Sequence, residues 1–313
     1  MPTLLTRSPR VAAEVIRRGG LVAFPTETVY GLGADIFNPA AIARIFEAKE
    51  RPSDNPFIAH IGRREQVALL APGVSDSARA LIDRFFPGPL TVVLQRSGAV
   101  PDIATAGLDS IGVRMPGNEL AREFISLCGT PLAAPSANLS GRPSPTTWEA
   151  VREDLDGRID CILQGDSTEI GLESTVVDCT VEPPVLLRPG AVSLDQLREA
   201  VPAIAALTKV PDGPLPSPGL RHRHYSPRAE VIIIEGAMAS GPGERSAFIG
   251  LTPVPGVFEM SEICVSVNEY ARRLFEFFRE CDRAGIATIY CQAVPETGRG
   301  AALMDRIRRA TMR

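Results

Sequence analysis

Short apolar runs alternate with amphipathic stretches up to about residue 200, and glycine, proline or asparagine marks most of the changes. An amphipathic segment ending at Arg17-Arg18-Gly19-Gly20 predicts a helix stopped by its glycines, with a short strand over Leu21–Phe24 behind it. Asn38-Pro39 predicts a helix start that carries to about Lys49, and Phe57–Ile61 reads as the next strand. A helix around Ser75–Phe85 ends at Pro87-Gly88-Pro89-Leu90, ahead of a strand over Thr91–Gln95. Further strands fit Ile111–Arg114, Leu132–Ala134, Cys161–Leu163, Ser174–Cys179 and Val185–Leu187, and helices fit Asn118–Leu127, Thr146–Arg152 and Leu194–Ala200. Strands and helices intermix, which predicts an α/β (α+β) domain on a twisted sheet with flanking helices. The strict βαβ alternation of a dinucleotide fold is missing, and no G-x-G-x-x-G opens a helix after a strand.

The pattern then breaks. Val210–Pro227 is rich in proline and too interrupted for helix or sheet, so it reads as a semi-rigid linker. A second α/β unit follows, with strands expected at Glu230–Glu235, Ala247–Gly250, Ile263–Val267 and Ile286–Cys291. Its long helix is expected to be capped by Asn268 and stopped by Gly285, and an arginine-rich last helix starts near Arg299. The organisation expected is a catalytic domain over 1–207, a linker over 208–228, and a small Rossmann-like domain over 229–313 without a nucleotide fingerprint.

Composition narrows the classes. With 44% apolar and 22% charged residues the chain is ordinary for a soluble globular protein. A net charge of −4 argues against wrapping nucleic acid by charge alone, although a local basic patch remains compatible with it. No apolar run approaches the roughly 20 residues that span a bilayer, and the N-terminus does not read as a secretory signal. The six cysteines show no C-x-x-C spacing and read as small buried hydrophobes in a reducing compartment. The cytoplasm is the expected location, and with three histidines in all a Cys/His metal site is not expected.

The chain has 33 basic residues, and only two, Lys49 and Lys209, are lysines. Lys49 stands two residues before Arg51, ahead of a proline-broken loop. A lysine point charge beside an arginine fork suits a polyphosphate, while the same pair at a helix C-terminus also suits the helix dipole. Arg114 and Arg188 stand at strand ends, and the Ala133–Ser144 loop is dense in hydroxyls and amides, a composition that serves anion binding and plain turns alike.

Taken in order, P-T-E-T-V-Y-G-L-G from Pro25, K-x-R-P-x-x-N-P from Lys49, G-V-R-x-P from Gly112, A-P-S-A-N-x-S-G from Ala134, E-S-T-V-V-D from Glu173 and L-R-P-G from Leu187 resemble the YrdC-like threonylcarbamoyl-AMP synthase family. The S-P-G-x-x-x-x-H-Y-S-P linker and trailing domain are similar to its long, two-domain form. The resemblance implies a YrdC-like twisted mixed sheet. It implies a nucleotidyltransferase that makes threonylcarbamoyl-AMP and pyrophosphate from ATP, L-threonine and bicarbonate, for a downstream tRNA threonylcarbamoyl transferase. By motif position, ATP contacts fall on Arg51, Asn55, Ser110, Ser136, Ser144, Arg188 and Tyr225, and threonine contacts on Thr28, His60, Arg114, Ala134 and Ser174. Lys49 and Arg51 form the catalytic basic pair, with Lys49 expected to face the phosphates. Mg²⁺ is expected to arrive with ATP rather than in a protein cage. The linker, with His222, His224 and Tyr225, is expected to close over the site as a lid. The last helix is open to a tRNA or partner contact, or to plain solvation. A carbamoyl transferase of the same fold and a non-catalytic RNA-binding protein are the rival classes.

Overall fold

The computed structural model describes residues 2–207, 225–236 and 243–312. The segment expected as a lid therefore lies outside the described residues from 208 to 224, and only Tyr225 onward can be placed.

Among the described residues the first part of the chain builds one mixed sheet of eleven strands. Across the sheet the strands run Leu4–Thr6, Cys161–Leu163, Val22–Phe24, Gly31–Asp35, Leu132–Ala133, Ile58–His60, Ser110–Arg114, Leu90–Gln95, Thr175–Asp178, Val185–Arg188 and Ala205–Ala206. Helices Pro9–Arg17 and Glu119–Cys128 cover one face, burying Ala12, Ile16, Phe124 and Ile125 against Phe24 and Leu163. The opposite face is covered by helices Pro39–Lys49, Asp76–Phe85 and Trp148–Leu155, through Ile42, Ile45, Leu81 and Val151. Both faces being buried explains why the strands read as short apolar runs instead of alternating ones. The helices start where the sequence signals them. Asn38, Ser75, Asn118 and Thr147 each accept a backbone N–H three residues on.

Three strands of this sheet escaped the sequence pattern, one of them the two-residue Ala205–Ala206. Gly31–Asp35 carries two glycines and no β-branched residue, yet pairs with Val22–Phe24 because a Cβ on Gly33 would lie 3.0 Å from the Phe24 ring. Leu4–Thr6 is a partly exposed edge strand beside Cys161–Leu163.

The second unit is a parallel sheet in the order Glu230–Ile234, Thr288–Gln292, Ser246–Gly250, Met260–Ile263. Its long helix is Val267–Ala284, and the cap is Ser266, whose hydroxyl accepts from Glu269, not Asn268 as the sequence suggested. The preceding strand accordingly ends at Ile263, earlier than expected. Both serine and asparagine cap well, and the nearer competitor won. All six cysteines are buried and unpaired. No helix among the described residues is long and apolar enough to cross a membrane.

The two units share packing. The core formed by Leu274, Phe275, Leu303 and Ile307 extends to Val29 and Leu172 of the first unit. Gly171 has φ +79°, and a Cβ there would stand 2.5 Å from the Arg272 Cα, so the chains touch backbone to backbone.

Candidate active site

Parallel strands Ile58–His60 and Ser110–Arg114 are in register, and His60 pairs with Arg114 at their ends. Beside them Val185–Arg188 ends and Thr175–Asp178, antiparallel to it, begins, while Leu132–Ala133 runs antiparallel to Ile58–His60 with Leu132 opposite His60. Gly190 allows the turn after Arg188 to pass close: a Cβ would lie 2.2 Å from the Thr175 nitrogen. These strand ends and the Thr26–Gly31 segment line an open cleft.

Nine residues expected from the sequence line this cleft: Thr28, Arg51, His60, Arg114, Ala134, Ser136, Ser174, Arg188 and Tyr225. Arg114 is 4% exposed and its guanidinium is held on three sides. It donates to Thr28 Oγ1 at 2.8 Å and to the Gly88 carbonyl at 3.3 Å, and forms an ion pair with Glu27 at 2.8 Å. Burial alone would raise the Glu27 carboxyl; Arg114 and the Gly117 backbone instead hold it below the ordinary carboxylate range. Ser174 Oγ lies 2.8 Å from Thr91 Oγ1 and accepts from Arg188 at 3.3 Å. Burial, then the charge of Arg114, depresses His60 to about 3, so its imidazole is neutral.

Arg51 donates to the Asn55 and Pro56 carbonyls at 3.1 and 3.3 Å and lies over the Phe57 ring. Burial lowers its pKa to about 10, still charged at neutral pH. Its Nε and the neighbouring Asn55 Nδ2 are buried donors that meet no acceptor among the described residues, which makes them candidates for ligand contacts.

Four expected residues do not line the cleft. Lys49 is buried, and its ammonium donates to the carbonyls of Ser136, at 2.5 Å, and Asn138 instead of facing the cleft. Burial, with Arg51 nearby, pushes its pKa down; the two carbonyls are the polar partners a buried ammonium requires. Asn55 is buried, and its backbone carbonyl accepts from Arg51. Ser110 begins the strand that Arg114 ends, about 13 Å away along an extended chain. Ser144 is buried, donating to Glu173 Oε1 at 2.5 Å.

The sequence reading assigned no role to Glu27, Glu173 or Arg306. Glu27 and Glu173 stand inside motifs that were legible, but nothing local announces which arginine each meets. Glu173 lines the cleft and accepts from Arg306 at 2.7 Å, a residue of the last helix that is fully buried. Arg308 and Arg309 of that helix pair with Glu296 and Asp305.

Among the described residues no group of three or more His, Cys, Asp or Glu side chains is placed to hold a metal. Among the described residues the one carboxylate on the cleft wall, Glu173, is engaged by Arg306 and Ser144.

Comparison with known proteins agrees along the whole chain. A Sua5/YciO/YrdC family model, described as telomere recombination, matches residues 14–190. A model described as the C-terminal domain of threonylcarbamoyl-AMP synthase matches residues 192–311. The threonylcarbamoyl-AMP synthase of Pyrococcus abyssi is 45% identical over 96% of this chain and 93% of its own length. That of Bacillus subtilis is 39% identical over 98% and 94%. A crystal structure of P. abyssi Sua5 complexed with L-threonine superimposes with a TM-score of 0.89 at 42% identity, covering 99% of this chain and 96% of that one.

Proposed function

The chain belongs to the Sua5/YciO/YrdC family in its two-domain threonylcarbamoyl-AMP synthase form, and from that premise we propose that the cleft condenses ATP, L-threonine and bicarbonate. Bicarbonate loses hydroxide to give carbon dioxide, threonine's neutral amine adds to its carbon, and the amine's proton leaves with that hydroxide as water, giving a carbamate. A carbamate oxygen attacks the α-phosphorus of ATP, the new P–O bond forms as the bond to the β-phosphate breaks, and pyrophosphate leaves with its electron pair. The transfer of an adenylyl group makes this nucleotidyltransferase chemistry.

The observation that carries the reading is the convergence of two polar sets in one cleft, one of amino-acid size and one rich in arginine. Arg114, aimed by Thr28, Gly88 and Glu27, is the partner for threonine's carboxylate. Neutral His60 and Ser174 read its hydroxyl and amine by hydrogen bonding, and Ala134 closes on its methyl group. Arg51 and Arg188 offset the negative charge that develops on pyrophosphate, with Ser136 and Tyr225 beside the nucleotide. In this reading Lys49 acts indirectly, by fixing the Ser136 loop. Ser144 likewise reaches the site through Glu173, and Asn55 through Arg51. No covalent protein intermediate is required, so no nucleophile–base pair is needed. Mg²⁺ enters as the counter-ion of ATP, held by phosphates and water. The product is a mixed anhydride that a downstream tRNA-modifying transferase consumes.

The test is pyrophosphate release from ATP, with L-threonine and bicarbonate omitted in turn. Release that needs both is expected. Release indifferent to threonine would move the activity to carbamoyl transfer, and no ATP consumption would leave an RNA-binding role.

A further inference from the structure

The last helix, Arg299–Thr311, belongs to the second domain, packing Leu303 and Ile307 into its core. One side chain of that helix leaves this core. Arg306 is fully buried and reaches the first domain, donating to Glu173 Oε2 at 2.7 Å and to the Pro189 carbonyl at 3.1 Å. Its guanidinium also lies over the Tyr225 ring, 5.4 Å from the centroid, and Asp305 takes a further N–H at 2.6 Å. Every contact it makes in the first domain is at the cleft or next to it. Glu173 and Tyr225 line the wall, Pro189 follows Arg188, and the second oxygen of Glu173 holds Ser144.

Stability alone explains this poorly, because a buried ion pair seldom stabilises more than apolar side chains of the same volume. Chemistry explains it better. An uncompensated carboxylate on the wall of a cleft that takes a triphosphate would repel it, and Glu173 is such a carboxylate. Arg306 cancels that charge from behind while leaving Glu173 free to orient Ser144. Its planar fork serves the carboxylate and the Pro189 carbonyl together, which a lysine point charge does not.

We infer that Arg306 is a positioning residue of the active site, by which the second domain supports the ATP end of a cleft lined, among the described residues, by the first domain and Tyr225 of the linker. Among the described residues, the hydrogen bonds and the ion pair that hold Arg114, Thr28 and His60 at the threonine end come from the first domain. This inference rests on the reading of the cleft as an ATP and threonine site.

The experiment uses full-length protein and measures pyrophosphate release with ATP and threonine varied separately, alongside thermal unfolding. The variants are Arg306→Met, Arg306→Lys, the double variant Arg306→Met with Glu173→Gln, and Leu303→Ala, which weakens the same helix away from the cleft. Arg306→Met is expected to raise KM for ATP by about tenfold or more with KM for threonine held within about twofold. Removing the stranded carboxylate in the double variant is expected to recover part of that loss. Leu303→Ala is expected to lower Tm without raising KM for ATP. An ATP effect no larger than that of Leu303→Ala, or an equal rise for both substrates, overturns the inference. Should Arg306→Met not fold, Arg306→Lys carries the test: a selective rise in KM for ATP of about threefold supports it, and an unchanged value overturns it. Wild-type dependence on threonine and bicarbonate reports separately on the underlying reading.

Discussion

His60 shows how burial turns a titratable group into a fixed hydrogen-bonding one. Its ring packs edge-on against Phe24, and Nδ1 lies 3.2 Å from the Ile58 carbonyl. The unfolded chain takes up a proton near the ordinary value of 6.5, whereas the native protein resists until about 3. Between those values the unfolded state binds more protons, so stability is full above 6.5 and falls as pH drops through the window. From pH 7 to 5 the loss from this group approaches about 2 kcal/mol, at about 1.4 kcal/mol per unit below 6.5. Denaturant unfolding at the two pH values is expected to show His60→Gln losing less stability than the wild type by about that amount. Equal losses would mean that His60 titrates normally in the native state. The histidine itself was conspicuous in the sequence, but its charge state was not, because burial and the neighbouring Arg114 come from other strands.

At the scale of elements, the helix Pro39–Lys49 ends inside the protein. Glu50 takes the left-handed conformation, φ +53°, and the chain turns so that Lys49 points inward beneath the Ser136–Asn138 loop. Lys49→Met removes a costly buried ammonium but strands two carbonyls, and a buried acceptor left unpaired costs about 1–3 kcal/mol. The expected result is a loss of about 1–3 kcal/mol in denaturant unfolding, with activity falling as the loop loosens. Unchanged stability together with a raised KM for ATP would instead put the amine on the phosphates, as the motif alone suggested. Helix starts were legible because capping is a contact three residues long. The strand Gly31–Asp35 was not, since its fitness comes from the room Phe24 leaves for glycine.

For the whole molecule, two buried arginines join the domains at different places. Arg306 meets the cleft, while Arg279 meets Asp154, donating at 2.8 Å, and the Pro143 carbonyl at 2.6 Å. Asp154 is fully enclosed and keeps Arg142 as a second partner. Burial opposes its charge, but the two arginines hold its pKa below the ordinary value. Arg279→Met is therefore expected to destabilise by about 3 kcal/mol, the low end for breaking a buried pair. Calorimetry is expected to show the domains unfolding less cooperatively; an unaltered single transition would mean that the apolar contact through Val29 and Leu172 suffices to couple them.

Read alone, the sequence determined the alternation of elements, most helix caps, the division into two α/β units, and the kinds of chemistry gathered in its motifs. Those properties are local: a period, a cap or a turn is decided within a few residues. Tertiary structure decided which of the motif residues share a wall. It brought His60 beside Arg114, turned Lys49 away, set Ser110 at the far end of its strand, and joined Glu173 to an arginine 133 positions away. Charge pairing and burial depend on distance through space, and in a sheet whose neighbours are mostly non-consecutive strands that distance is not written in the order of the chain.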